Sequence, residues 1–168
     1  MKIILETKRL YLREFESLDG VHFFHLNNNP EVLKYTGDSA FKNIDEANKF
    51  INNYSDYKLN GYGRWAVCLK DTNEFIGWCG LKLDNYEVDL GFRFFQKYWG
   101  LGYASESAKA CVEYGFSKLK IKKIIGRAYI KNKASIKVLQ KCNLVFEKDF
   151  VYDGKPAVLY SIKNDKNS

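Results

Sequence analysis

The chain has 168 residues, 46% hydrophobic and 28% charged, an ordinary globular composition of about one domain's length that excludes a disordered chain. No run of about 18 uncharged apolar residues occurs, which argues against a membrane span. The net charge of +7 and pI of about 9.1 point either to an anionic partner or to a surface of solvated lysines.

The opening residues, Met1 to Glu6, turn acidic too soon for a secretory h-region. The four cysteines, Cys68, Cys79, Cys111 and Cys142, lack C-x-x-C spacing and read as reduced thiols of a cytoplasmic protein. No linker or repeat divides the chain. One domain over 1–168 is expected, with a frayed tail from Asn164 to Ser168.

Lys8 to Arg13 alternates and predicts a first strand. A short helix follows from Asp19 to Leu26, and Pro30 starts a turn of helix that Gly37 stops. A longer helix is expected from about Asp45 to Lys58, with Ala47, Phe50, Ile51 and Tyr54 on one face. Strands are predicted at Arg64 to Lys70, Glu74 to Leu83 and Tyr86 to Phe94, joined by the turn residues Asp71-Thr72-Asn73 and Asp84-Asn85, an antiparallel meander. The period then changes to helical from Tyr103 to Leu119. A strand (Ile124 to Ile130), a helix (Asn132 to Cys142) and a hairpin (Leu144 to Tyr152, Ala157 to Lys163) complete the chain. Strand–helix–strand from Tyr86 to Ile130 implies a right-handed parallel crossover, hence one parallel pair in a mostly antiparallel sheet.

Gln96 to Ala104 carries Gly100-Leu101-Gly102 between a strand and a helix. Glycines there let backbone approach a ligand, and the uncapped amides and dipole of the helix favour an anion such as pyrophosphate. Ser105 stands where a dinucleotide fingerprint needs glycine, and no Gly-Lys-Ser/Thr is present for a P-loop. A glycine turn without a ligand is the competing reading.

Lys97-x-x-Gly100-x-Gly102-x-Ala104 resembles the acetyl-CoA loop of GNAT N-acetyltransferases. Thr7-x-Arg9-Leu10-x-Leu12-Arg13, Glu74 to Leu81, Asp89-Leu90-Gly91-Phe92, Tyr98 to Glu106 and Asn132-x-x-Ser135 resemble, in order, blocks of the ribosomal-protein N-acetyltransferase (RimJ/RimL-like) branch. The departures are Lys97 for Gln or Arg, Gln96 where proline is common, Asn143-Leu144 for Gly-Phe, and Leu139 where many GNAT enzymes carry a tyrosine general acid. Asn143 suits the left-handed conformation of that turn.

The resemblance implies an α+β fold, a mixed sheet of about six to seven strands with a central splayed parallel pair and helices on both faces. It implies direct transfer of acetyl from acetyl-CoA to a primary amine, of a protein N-terminus or a small molecule, by a monomer or homodimer. Cofactor contacts fall on Phe92, Arg93 and Phe94, on Lys97, on Trp99, Gly100, Leu101, Gly102, Tyr103 and Ala104, and on Asn132. Asp89 becomes the candidate base, with Glu87 its neighbour on the same face. The Phe92 amide would be the donor to the thioester oxygen, and Ser135 the donor to the leaving thiol, with helix capping as Ser135's other reading. Tyr35, Trp65, Trp78 and Glu87 are candidates for the acceptor pocket. At pH 7 about a tenth to a fifth of an α-amine is neutral but only about one lysine amine in 2,500, so a base matters most for lysine-like acceptors.

His22 and His25 lack an evident third ligand, so no metal is expected. The cysteines read as small core residues rather than acyl carriers. Two other readings of the chain are a non-catalytic acyl-CoA sensor and a basic nucleic-acid-binding domain.

Overall fold

A computed structural model describes residues 1–167. Its strands are β1 (Ile3–Glu6), β2 (Leu10–Arg13), β3 (Arg64–Leu69), β4 (Phe75–Asp84), β5 (Glu87–Phe94), β6 (Lys123–Tyr129), β7 (Val145–Tyr152) and β8 (Lys155–Lys163). Its helices are α1 (Asp19–Leu26), α2 (Pro30–Leu33), α3 (Ile44–Asn52), α4 (Asp56–Asn60), α5 (Tyr103–Ser117) and α6 (Lys133–Lys141). One mixed sheet runs β1-β2-β3-β4-β5-β6-β8-β7, with β5–β6 its parallel pair.

The sheet has eight strands rather than six or seven. The additional one is β1, which folds back on β2 through a turn closed by Thr7 N–H to the Leu10 carbonyl at 2.8 Å. The helix expected from Asp45 to Lys58 is two helices. The chain breaks after Asn52, and both tyrosines beyond the break turn inward. The Tyr54 hydroxyl accepts from the Arg64 amide at 2.7 Å, and the Tyr57 hydroxyl donates to the Arg64 carbonyl. These bonds fix the first residue of β3.

Alternation along the strands divides the apolar residues between two layers. Leu10, Leu12, Trp65, Val67, Leu81 and Leu90 pack beneath α5 and α6. Tyr11, Ala66, Cys68 and Phe75 pack beneath α1 and α3 with Phe23, Ala47 and Ile51. Helices therefore cover both faces. Asp153 and Gly154 adopt the paired positive φ of a hairpin turn where expected, whereas the turn expected at Asp84-Asn85 sits one residue later, on Asn85 and Tyr86, with Asp84 still in β4. Asn143 takes φ 64° after α6, the left-handed position expected of it.

The expected frayed tail begins on a fixed residue. The Asn164 backbone donates to Lys122 at 2.8 Å and its side-chain amide to Phe116 and Ile121 at 3.3 Å. Ser168 lies outside the described residues.

A buried ion pair ties α1 to the sheet. Arg13 donates to both Asp19 oxygens at 2.7 and 2.8 Å, and the Glu16 amide donates to the same carboxylate at 2.8 Å. The side chains are only 9% and 2% exposed, so removing either partner leaves the other charge buried and alone. Asp19→Ala is expected to cost about 3–5 kcal/mol in urea denaturation. A loss below about 1 kcal/mol would show that the pair does not anchor α1.

Candidate active site

β5 is paired with β4 along its whole length, from Asp84↔Glu87 to Gly77↔Phe94. β6 is likewise paired with β8 from Lys123↔Lys163 to Tyr129↔Ala157. Between them only Val88↔Ile124 and Asp89↔Ile125 pair. Past those residues the strands part, and the gap opens into a cleft of about 1470 Å³. Because side chains alternate, the cleft has two chemically distinct sides.

On the α5–α6 side lie Leu90, Phe92 and Phe94, facing the loop that starts α5. Gly100 and Gly102 take φ 75° and 85°, the left-handed region, and the Gly102 N-cap offers no side chain to the first helical amides. A Cβ on Gly102 would also sit 3.3 Å from Arg9 Nη2. The loop is braced from the β1–β2 hairpin. Arg9 donates to the Leu101 carbonyl at 3.0 Å, pairs with Glu106 at 2.7 Å and lies 4.3 Å over the Tyr103 ring. Thr7 Oγ1 and the Arg9 amide also donate to Glu106, at 2.7 and 2.9 Å. Burial pushes the Glu106 carboxyl up, but these donors outweigh it and hold it below the ordinary value.

Asn132 caps α6. Its Oδ1 accepts from the Ser135 amide at 3.3 Å, and its Nδ2 donates to Ser135 Oγ at 2.9 Å. Ser135 is therefore not the cap, and because its oxygen accepts from Asn132 its own hydroxyl proton is available in the cleft wall. Leu139, one turn on, is 1% exposed and packed in the core.

The α1–α3 side is built of arginines and carboxylates. Arg64 Nη2 donates to Asp89 Oδ2 at 2.7 Å, while its Nη1 donates to the Gly80 and Asp89 carbonyls at 2.7 and 2.8 Å. Gly91 makes room for this: a Cβ there would lie 2.6 Å from the guanidinium. Arg127 reaches Glu87 at 3.1 Å and, more loosely, Asp89 Oδ1 at 3.4 Å. Trp78 is half-buried between two guanidinium groups, Arg64 and Arg93, each 5.3 Å from its ring.

The predicted residues thus sort by side. Phe92, Phe94, Gly100, Gly102, Tyr103, Ala104, Asn132 and Ser135 surround the α5–α6 half, and Trp99 is fixed there by its indole N–H to the Phe94 carbonyl at 2.9 Å. Asp89, Glu87, Tyr35 and Trp78 line the other half. Arg93 points its side chain to this second side, where it donates to Asn27 and Asp38. Leu101 is exposed and offers its carbonyl to Arg9. Two more residues lie, like Leu101, off the cleft wall. Trp65 is 1% exposed, edge-on to Tyr114 in the core at 5.6 Å, so it lines no acceptor pocket. Lys97 turns to Glu74 at 2.8 Å and over the Tyr98 ring at 4.9 Å. Arg64, Arg127 and the Arg9–Glu106 brace went unread in the sequence. Strand alternation alone would have placed Arg64 and Arg127 on the face of Asp89.

All four cysteines are buried, with Cys79 and Cys111 Sγ 3.7 Å apart. Burial pushes the Cys111 thiol up and Cys142 up to about 12, so neither is a ready nucleophile. Among the described residues no group of three His, Cys, Asp or Glu side chains is placed to hold a metal, and no helix is long and apolar enough to cross a membrane.

Residues 9–145 match the family profile of the acetyltransferase (GNAT) domain. The chain is 34% identical to the uncharacterized protein YkkB of Bacillus subtilis over 169 aligned positions, covering 97% of each. It is 32% identical to the uncharacterized N-acetyltransferase p20 of Bacillus licheniformis, covering 86% of this chain and 83% of that one. The crystal structure of a GNAT-family acetyltransferase from Bacillus anthracis superposes with a TM-score of 0.84 at 26% identity, covering 97% of this chain and 99% of the other. By this profile and these relatives the chain belongs to the GNAT acetyltransferase family.

Proposed function

We propose that the enzyme transfers acetyl directly from acetyl-CoA to a primary amine, the two reactants meeting through the gap between β5 and β6 from opposite faces of the sheet. The parting of the strands after Asp89 and Ile125 carries this reading. Beyond those residues the inner edges of β5 and β6 do not pair with each other, and buried backbone groups there call for partners. The pantetheine amides of CoA suit the β5 edge at Phe92 to Phe94, as one more strand would.

The α5–α6 side fits the rest of the cosubstrate. The left-handed Gly100 and Gly102 and the first amides of α5 suit pyrophosphate. Lys137 and Lys141, one turn apart on α6, bring positive charge to the cleft wall in place of Lys97. Asn132 fixes the start of α6 beside the pantetheine path.

On the acceptor side, Asp89 takes the proton of the attacking amine, directly or through a water. Arg64 holds its Oδ2, whereas Oδ1 has only the long contact to Arg127. The Phe92 amide donates to the thioester oxygen as negative charge builds on it. The Ser135 hydroxyl donates to the departing sulfur. Tyr35, Trp78 and Glu87 shape the entry for the amine. The order of matched blocks supports placing the chain in the ribosomal-protein N-acetyltransferase branch.

Acetyl-CoA is expected to raise the melting temperature, and thiol release should follow addition of an accepted amine. In Gly102→Val the β-branched side chain meets both the left-handed backbone and Arg9, and calorimetric affinity for acetyl-CoA should fall at least about tenfold. Unchanged affinity would remove the loop from the binding site. Asp89→Asn should lower kcat/KM by about 10²-fold or more and change the shape of its pH dependence. An unaltered pH profile would take Asp89 out of proton transfer. Asn132→Ala should destabilise the protein by about 1 kcal/mol through loss of the cap. Ser135→Ala should instead leave the melting temperature nearly unchanged and reduce kcat. A Ser135→Ala that lost stability but kept its rate would assign the hydroxyl to the helix.

A further inference from the structure

Two buried hydrogen-bond donors in the wall of the acceptor side have no acceptor: Arg93 Nε and the Tyr129 hydroxyl. Tyr129 is 7% exposed and the Arg93 side chain 11%, so water does not easily serve them. Burial is the main reason the Tyr129 hydroxyl is pushed above its ordinary pKa, and it therefore stays a donor.

The two donors belong together. Pairing of β5 with β6 ends at Asp89↔Ile125, and Arg93 and Tyr129 each lie four residues further along, on the same face and at matching heights across the gap. The short segment Gly37–Asp38 touches both. Asp38 Oδ2 accepts from Arg93 Nη2 at 2.6 Å, and a Cβ on Gly37 would lie 3.2 Å from the Tyr129 oxygen. Arg93 Nη1 is taken by Asn27 Oδ1 at 2.7 Å.

The open positions define a shape. Nε and Nη2 form the edge of a guanidinium that meets both oxygens of a carboxylate side on. Asp38 fills half of that edge with one oxygen of a side chain that is 58% exposed, and Nε is left over. A ligand carboxylate with Asp38 swung aside would fill both positions and leave a lone pair for Tyr129. Arg93 also follows directly on Phe92, the proposed donor to the thioester oxygen, so this carboxylate lies close to the reacting amine. A protein N-terminus has no free carboxylate there, because its first carboxyl is in a peptide bond.

We infer that the acceptor is a small amine bearing its own carboxylate, of the amino-acid class, held by the Nε–Nη2 edge of Arg93 and by the Tyr129 hydroxyl in place of Asp38. The inference rests on the acetyl-transfer reading above. The test measures thiol release from acetyl-CoA with matched acceptors: amino acids, their carboxamides, and the corresponding amines without the carboxylate. Wild type, Tyr129→Phe and Arg93→Gln are compared, with melting curves for folding and calorimetry for acetyl-CoA binding. The wild type should prefer the carboxylate-bearing member of each pair by about tenfold or more in kcat/KM. Tyr129→Phe, which removes one oxygen and keeps the ring, should lower that value about fivefold or more, chiefly through KM. Tyr129→Phe should leave the carboxylate-free amine within about twofold of wild type, and Arg93→Gln should narrow the preference between the two members of each pair. Equal use of both members, equal losses on both, or acetylation only of carboxylate-free amines or peptide N-termini would overturn the inference while the enzyme reading stood. So would bound acetyl-CoA with no amino acid turned over. Failure to bind acetyl-CoA at all would instead overturn the reading of the site.

Discussion

β5 and β6 are each fully paired on their outer sides and almost unpaired with one another, and most of the site follows from that. A sheet interior with two inward edges is an expensive arrangement for buried backbone, since amides and carbonyls facing the gap lack the partners a continuous sheet would supply. It persists because each strand is held elsewhere, β5 by β4 and β6 by β8, both along their whole lengths. The gap is thus a rigid feature rather than a loop conformation. It is also the one place where a reagent on the α5–α6 face can touch a reagent on the α1–α3 face.

The two faces are provisioned differently. The α5–α6 face offers backbone amides, apolar rings and a helix start, a surface suited to a long, flexible, phosphate-bearing molecule. The α1–α3 face offers a lattice of guanidinium and carboxylate groups whose geometry is set by small residues. Gly91 lets the Arg64 guanidinium lie across the strands to Asp89, and Trp78 stacks between Arg64 and Arg93. Partly buried charges hold position only if each is paired. In this lattice Arg64 with Asp89, and Arg127 with Glu87 and Asp89, are matched. Arg93 is the incomplete member, matched by a single oxygen of Asp38 and an amide oxygen. An incomplete member in an otherwise matched set is where a ligand's charge fits.

The strands, turns and crossover could be read from the sequence because they rest on local signals: alternation, Asx and glycine turns, and a change of period at Tyr103. β1 was missed because a four-residue strand carries too little alternation, and its place depends on pairing with β2. The helix break after Asn52 was missed because the apolar stripe through Ala47, Ile51 and Tyr54 continues across it. What ends the helix is a pair of tyrosine hydroxyls bonded to Arg64, a contact invisible along the chain. The glycine loop was legible since its requirement, positive φ at two glycines, is itself local. Lys97 and Trp65 were misjudged for the opposite reason. Type and proximity in sequence do not say which way a side chain turns, and Glu74 and the core claim these two.

Position 139 shows how packing and chemistry divide one helix. A Cβ on Gly126 would sit 2.5 Å from Leu139 Cδ2, so α6 lies directly on β6 at this point and the leucine fills the contact. A tyrosine there would have to displace either the strand or the helix, and interiors this close yield little. The proton donor for a leaving thiol is therefore sought elsewhere on the same stripe. Ser135 lies four residues earlier, one helical turn toward the cleft. Asn132 both caps the helix and donates into the serine oxygen, which leaves the serine's own proton to point outward. In the proposed mechanism the donor to the thiol therefore sits one turn from Leu139, at the Asn132-capped start of α6.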